Sequence, residues 1–411
     1  MKKLFSEKNR WLITDVFLAC YVVAELLFEH STISRVFLVL FCASMIGILI
    51  LKKELYFDWF FPFYAGLAVW GAFCSLAGFA MDKGIAMDMV LTIVINLVYL
   101  FILYQYFMLR DDLEQPFRFF MLAAVASLIG LIIISWPDVL TRRLGEEAGY
   151  MPNVISTLFE TAYAFALYLF MKKKKWYDAA LLLLFFVSIL LTASRRGIAS
   201  AAFITIVYVL WINRKHFWKT ILILFGIAAV GCVLCLVVPK LKELAWDRMV
   251  KGIKAIFTFN TSVQEDGSAR LRAFFLREAL PQIKEHPFTG IGMDCFYTIE
   301  QRGTYSHNNY IELLVSGGIP ALILFYIPVV RTLIRGLKGS GRSDGAKMAV
   351  CLVIRLLITG LMVVSYYERP ELLILVVAMA LVERANGKKP LLLRKKEKPG
   401  VSVLSEQNPE T

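Results

Sequence analysis

Long apolar runs alternate along this chain with short polar connectors, and that alternation limits the fold more than any single motif. A helix rises 1.5 Å per residue, so it needs about 20 mostly apolar residues to cross a bilayer core. By that rule spans are predicted at 11–29, 35–51, 56–80, 89–108, 118–135, 154–171, 176–192, 197–212, 220–238, 307–330, 348–366 and 370–383. Backbone groups inside a membrane must bond within their own segment, so the expected fold class is all-α: a polytopic membrane helix bundle of about twelve transmembrane helices. With 58% hydrophobic residues among 411, the chain is too apolar for an ordinary soluble domain.

The basic residues then orient the bundle. Most of the 45 Lys and Arg fall in Lys2–Arg10, Lys52–Lys53, Arg110–Arg118, Lys172–Lys175, Arg214–Lys219, Arg331–Lys347 and the tail from Arg384. These segments share one side if the N-terminus is cytoplasmic, and the positive-inside rule places them there, with both termini. The net charge of +13 is therefore read as topology and not as a nucleic-acid surface. The opposite connectors hold only Arg35, Lys83, Arg142, Arg143, Arg195, Arg196 and Arg369 outside the longest one. Four regions follow: 1–238 with nine spans, a large extracytoplasmic loop at 239–306, 307–383 with three spans, and a basic tail at 384–411 expected to be disordered. Trp11–Phe28 reads as a retained first helix, since no cleavage site follows it. Six of the seven cysteines lie in spans, which removes a disulfide framework, and Cys232 and Cys235 read as small buried apolar residues.

Within 239–306, Leu241, Leu244, Met249, Ile253 and Ile256 alternate with Lys242, Lys251 and Lys254 in the pattern of an amphipathic helix lying on the membrane surface. Ser268 is a candidate cap for a second helix that Pro281 is expected to end. After the loop comes SHNNYIELLVSGGIP (306–320), in which His307, Asn308 and Asn309 head an apolar helix broken by Gly317, Gly318 and Pro320. His30 and His286 fall in loops and His216 in a basic run, leaving His307 as the histidine of interest. The turn Ser194–Gly197 sets two arginines at helix ends against the charge trend, and arginines held at that depth face an interior more often than lipid. Asn153, just before the sixth span, is read first as part of a helix N-cap.

One face thus collects Arg195 or Arg196, a helix bearing Arg270, Arg272 and Arg277, and His307. Guanidinium forks bind phosphate bidentately and keep their charge, so converging arginines suit a diphosphate. Histidine takes a proton from a hydroxyl near neutral pH. The pair of chemistries suggests transfer from a diphosphate-linked donor to a hydroxyl. No Asp-x-Asp pair or His/carboxylate cluster occupies the outer connectors, and no Gly-rich nucleotide loop is present, so neither metal nor nucleotide cofactor is expected.

These residues resemble the O-antigen ligase and O-antigen polymerase superfamily of bacterial integral membrane glycosyltransferases. Three motifs carry the likeness: Ser194-Arg195-Arg196-Gly197, similar to a Ser-Arg-x-Gly turn; Arg270 and Phe274 followed by HPFTGIGMDCF (286–296); and HNNYIELLVSGGIPALILF from His307. Tyr150–Asn153 is similar to a Pro-Asn element of many members. The resemblance covers about residues 150–335. It implies an inverting, metal-independent transfer of a glycan from an undecaprenyl-diphosphate carrier at the outer leaflet. The acceptor would be a sugar of lipid A-core, another lipid-linked repeat unit, a protein hydroxyl or a wall polymer, with polysaccharide-assembly proteins as further candidate partners. It assigns the diphosphate to Arg195 and Arg270 and the acceptor hydroxyl to His307, with Arg196, Arg272, Arg277, Asn308 and Asn153 as candidate substrate-binding residues. Arg270, Phe274 and Arg277 share a helix face that Arg272 does not, which favours Arg270.

A lipid-linked oligosaccharide flippase or other polysaccharide transporter is the competing reading. Arg355, an intramembrane cation in the eleventh span, fits it. The two similar halves that alternating access uses are not visible, since the long loop and the Arg and His motifs each occur once.

Overall fold

A computed structural model describes residues 7–28, 31–137, 142–146, 149–226, 267–299 and 305–392. Its helices follow the apolar runs. α1 (Glu7–Leu27) and α2 (Thr32–Lys52) form a hairpin in which the Ser31 hydroxyl accepts the Ser34 amide and caps α2. α3 (Phe60–Leu76), α4 (Lys83–Met108), α5 (Glu114–Ile134), α6 (Pro152–Lys173), α7 (Trp176–Leu191) and α8 (Arg195–Ile212) complete the first part. α9 (Gly267–Glu285), the short α10 (Phe296–Ile299), α11 (Asn309–Gly339), α12 (Asp344–Thr359) and α13 (Arg369–Ala385) make up the second.

The two parts interleave. α11 packs on α3, α12 on α8, and α13 on α4 and α6. α6 and α13 are buried round most of their circumference, while α2 and α5 turn residues such as Ile50 and Ile133 outward. An apolar surface of that kind is where lipid tails would sit.

Among the described residues six helices are long and apolar enough to cross a membrane, namely α2, α4, α5, α6, α8 and α11, with α3 and α7 apolar but shorter. The expected twelve is larger because α1, α12 and α13 carry charges, and the structure neutralises several of them internally. Asp15 of α1 pairs with Arg110, Arg355 of α12 with Glu160 and Glu371, and Glu383 of α13 with Arg335 at 2.9 Å. Residues 217–226 are helical, but most of the predicted ninth span, Cys232 and Cys235, and the amphipathic stretch 241–256 lie outside the described residues.

Two further expectations are corrected. Pro281 does not end its helix: α9 continues to Glu285. Proline removes one amide bond, yet Phe275, Ala279 and Ile283 bury one face of α9 against Ile291, Val315 and Ile311, and that packing holds the last turn. The tail also begins in order. Arg384 donates to the Phe107 carbonyl at 3.1 Å and Lys388 pairs with Glu383 at 3.3 Å. Beyond them β2 (Leu391–Leu392) pairs antiparallel with β1 (Glu54–Leu55), Glu54 opposite Leu392. Residues 393–411 lie outside the described residues.

Candidate functional site

The site is built around the broken helix. α11 runs from Asn309, and at Gly318 the backbone turns to φ 68°, ψ −164°, which only glycine adopts readily. A Cβ there would also overlap the backbone of Phe288. The break strands carbonyls that an intact helix would satisfy, and the 286–296 loop supplies their partners. Ile291 and Gly292 donate amides to Val315 (2.8 Å) and Ser316 (3.1 Å), Trp70 Nε1 donates to Gly317 (2.8 Å), and the Ile319 amide returns to Pro287 (2.9 Å). Ile291 in turn accepts the Met81 amide at 2.7 Å, tying this junction to the α3–α4 connector.

His307 stands two residues before α11 in a left-handed conformation, φ 55°. Asn308 caps the helix, its Oδ1 accepting from Tyr310 (2.9 Å) and Ile311 (3.2 Å). That use explains Asn308 without a ligand. Asn309 is wholly buried, donating to Tyr326 and accepting the Ser365 and Tyr366 amides at 2.7 and 3.0 Å, so it fastens the α12–α13 connector to the start of α11. Glu312, one turn on, accepts the Ser306 amide at 2.9 Å and fixes the residue before His307. The half-buried imidazole lies between Phe275 of α9, 5.6 Å between ring centroids, and Tyr305 at 4.3 Å. In the 286–296 loop, burial lifts the Asp294 carboxyl from its ordinary 3.8 to about 6.

The Ser194–Gly197 turn is the second component. Ser194 caps α8, its Oγ accepting the Gly197 amide at 3.2 Å and donating to Asn153 Oδ1 at 3.0 Å. Arg195 and Arg196 then occupy the first turn of α8, where the helix dipole disfavours cations. Their fates differ. Arg196 turns inward, reaching the Asn153 carbonyl at 2.6 Å and Glu371 at 2.9 Å. Glu371 and Glu160 also hold Arg355, whose Nε donates to Glu160 at 3.1 Å. Two guanidiniums thus meet two carboxylates in a buried, neutral quartet. Gly197 permits it, because a Cβ there would overlap the Ser156 hydroxyl, which bonds Glu160 at 3.0 Å. Arg195 is half-buried beside this quartet. Asn153 does not act as a cap: Met151 holds that position without a capping side chain, and Asn153 serves as the link between α6 and the α8 turn.

α9 carries Arg270 and Arg272 in its first two turns, while Phe274 and Arg277 lie on its exposed face. Motif reading overlooked Phe275, Tyr305, Glu160 and Glu371. The signal for the last two was present, since a lone carboxylate in an apolar span asks for a partner.

A cavity of about 490 Å³ is lined by neighbours of both components. Tyr305, its ring tilted against His307, forms part of one wall, and Tyr150, Met151 and Val154, which flank Asn153, form part of another. Tyr21, Glu25, Asn96, Tyr99 and Arg369 close the remainder. A second cavity of about 440 Å³ lies at the opposite end among Arg110, Asp111, Glu114 and Arg118, away from every motif above.

Residues 180–326, from α7 to midway along α11, match the model of the O-antigen ligase family. The match takes in the Ser194–Gly197 turn, α9 and the SHNNYIELLVSGGIP segment, and it supports the resemblance drawn from those motifs. Asn153, Glu160, Arg355 and Glu371 fall outside it. No curated protein matches the chain.

Proposed function

We propose that this protein is a membrane glycosyltransferase that moves a glycan from an undecaprenyl-diphosphate carrier to an acceptor hydroxyl at the outer face of the bacterial cytoplasmic membrane, in ligation or polymerisation of a cell-surface polysaccharide. The observation that carries this reading is one cavity bordered by Tyr305, the ring neighbour of His307, and by the α6 end that Asn153 ties to the arginine turn. On this reading both termini are cytoplasmic and 239–306 is extracytoplasmic.

In the reaction the acceptor oxygen attacks the anomeric carbon as the bond to the carrier diphosphate breaks, with inversion. His307 takes the hydroxyl proton. The leaving diphosphate gains charge, which Arg195 and Arg270 offset without a metal. Arg195 is favoured over Arg196 because Arg196 is already neutralised by Glu371 and Glu160. The N-terminus of α8 adds its own attraction for an anion. Arg355, the residue that fitted a transporter, has two buried carboxylates as partners and needs no cargo to explain it.

The test uses purified protein, the lipid-linked glycan of its native organism, no divalent metal, and a His307→Ala control. A product ladder lost in the variant is the expected result for a polymerase, and donor consumption only on adding a core-lipid, protein or wall acceptor for a ligase. Untouched donor, together with movement of the lipid across liposomes, would overturn the proposal in favour of transport.

A further inference from the structure

The cavity holds a second group of charges that the proposed chemistry leaves unused. Arg369, at the first turn of α13, donates through Nε to Asn96 at 3.0 Å and through Nη1 to Tyr21 at 3.2 Å and Glu25 at 3.4 Å. Asn96 is wholly buried and spends its own amide on the Tyr367 carbonyl at 2.8 Å, so it can only hold the guanidinium in place. Three helices, α1, α4 and α13, therefore converge to fix one arginine at a cavity wall.

The wall's chemistry selects a ligand. Two carboxylates, Glu25 and Glu368, and one guanidinium line the cavity, so the pocket is not suited to a diphosphate. Around them stand Tyr21, Tyr99, Tyr150, Tyr305 and Tyr367, flat apolar faces with polar rims. Aromatic faces, with a fixed fork and a carboxylate beside it, match a pyranose ring: apolar on its C–H face, with vicinal hydroxyls at its edge that an Arg/Glu pair can both donate to and accept from. The volume is within the ~300–1,000 Å³ of ligand pockets.

We infer that this cavity is a sugar-binding pocket for the glycan borne by the diphosphate lipid, with Arg369 and Glu25 as its specificity-determining residues and Asn96 as the residue that positions Arg369. This rests on the glycan-transfer reading and extends it. Tyr305, in contact with both the cavity and His307, places the sugar beside the reacting end.

The experiment measures binding of two probes to the full-length protein in nanodiscs: the native undecaprenyl-diphosphate-linked glycan, and undecaprenyl diphosphate alone. Arg369→Lys keeps the charge and removes the fork; Thr92→Trp fills the cavity from a lining residue outside the network. Arg369→Lys is expected to weaken the glycan-bearing probe about tenfold, the size of one lost charge-assisted hydrogen bond, Thr92→Trp to weaken it at least as much by occupying the volume, and both to leave the bare lipid within twofold, which also reports an intact fold. Equal weakening of both probes would assign the cavity to the lipid or its diphosphate and overturn the inference. Unchanged binding of both probes in both variants would overturn it as well. Transfer by the wild type, assayed alongside, reads the proposed function separately, since binding can follow the expected pattern with or without turnover.

Discussion

The buried quartet of Glu160, Arg196, Arg355 and Glu371 and the rim around His307 use the same kinds of side chain to opposite ends. In the quartet each guanidinium has a carboxylate and each carboxylate is shared, all beneath the surface. At the rim the imidazole is half-buried, held by ring contacts and a left-handed backbone, and its neighbour Tyr305 lines a cavity. Closed charge sets keep helices in register; open ones are positioned to meet something. A single dipeptide divides these fates, since Arg196 belongs to the quartet while Arg195, in the same helical turn, is half-buried beside it.

The sharpest way to break this contrast is Glu371→Ala, which leaves Arg196 and Arg355 sharing one carboxylate. Removing one partner of a buried ion set costs about 3–5 kcal/mol, so the variant is expected to lose most of its folded fraction in a detergent thermostability assay. Arg195→Ala should shift the same melting curve far less while reducing transfer. His307→Ala comes next: a drop in transfer rate on the order of 10²–10⁴, with the melting temperature close to wild type. If the melting curve collapses with activity, the rim is structural and the contrast fails.

Gly318→Ala tests whether the rim depends on the helix break. The substitution strains a left-handed backbone and meets Phe288, at about 1–3 kcal/mol, and hydrogen exchange should rise in both 286–292 and 315–319. The smallest effect is reserved for Asp294→Asn. Burial raises the folded-state carboxyl to about 6 from 3.8, so the folded protein binds a proton that the unfolded chain has released. Stability from this group is therefore greatest below pH 4, falls as pH rises toward 6, and stays low above it. Asparagine, which tolerates positive φ, should raise the melting temperature by a few degrees at pH 7.5 and not at pH 4.

Much of this was legible in the chain because it is local. The apolar runs specify helices by length, the Gly-Gly-x-Pro segment specifies a break, and the Ser-Arg-Arg-Gly turn specifies a cap. What escaped is long-range. Nothing near Glu160 in sequence announces Arg355, 195 residues away, and Asn153 looks like a cap until Ser194 is seen bonded to it. Arg369 reads as an ordinary connector charge until α1 and α4 are found holding it. Pro281 misled because a local rule about amides was outweighed by the packing of Phe275, Ala279 and Ile283.

The junction at Gly318 also bears on biogenesis. Chains are made from the N-terminus, and the groups that complete the broken helix, Trp70, Met81 and the 287–292 loop, all precede it in synthesis. α11 therefore leaves the ribosome with a flaw already matched by a template laid down earlier. Its insertion is a docking event onto a prepared edge, and His307 acquires its setting only when that late helix arrives.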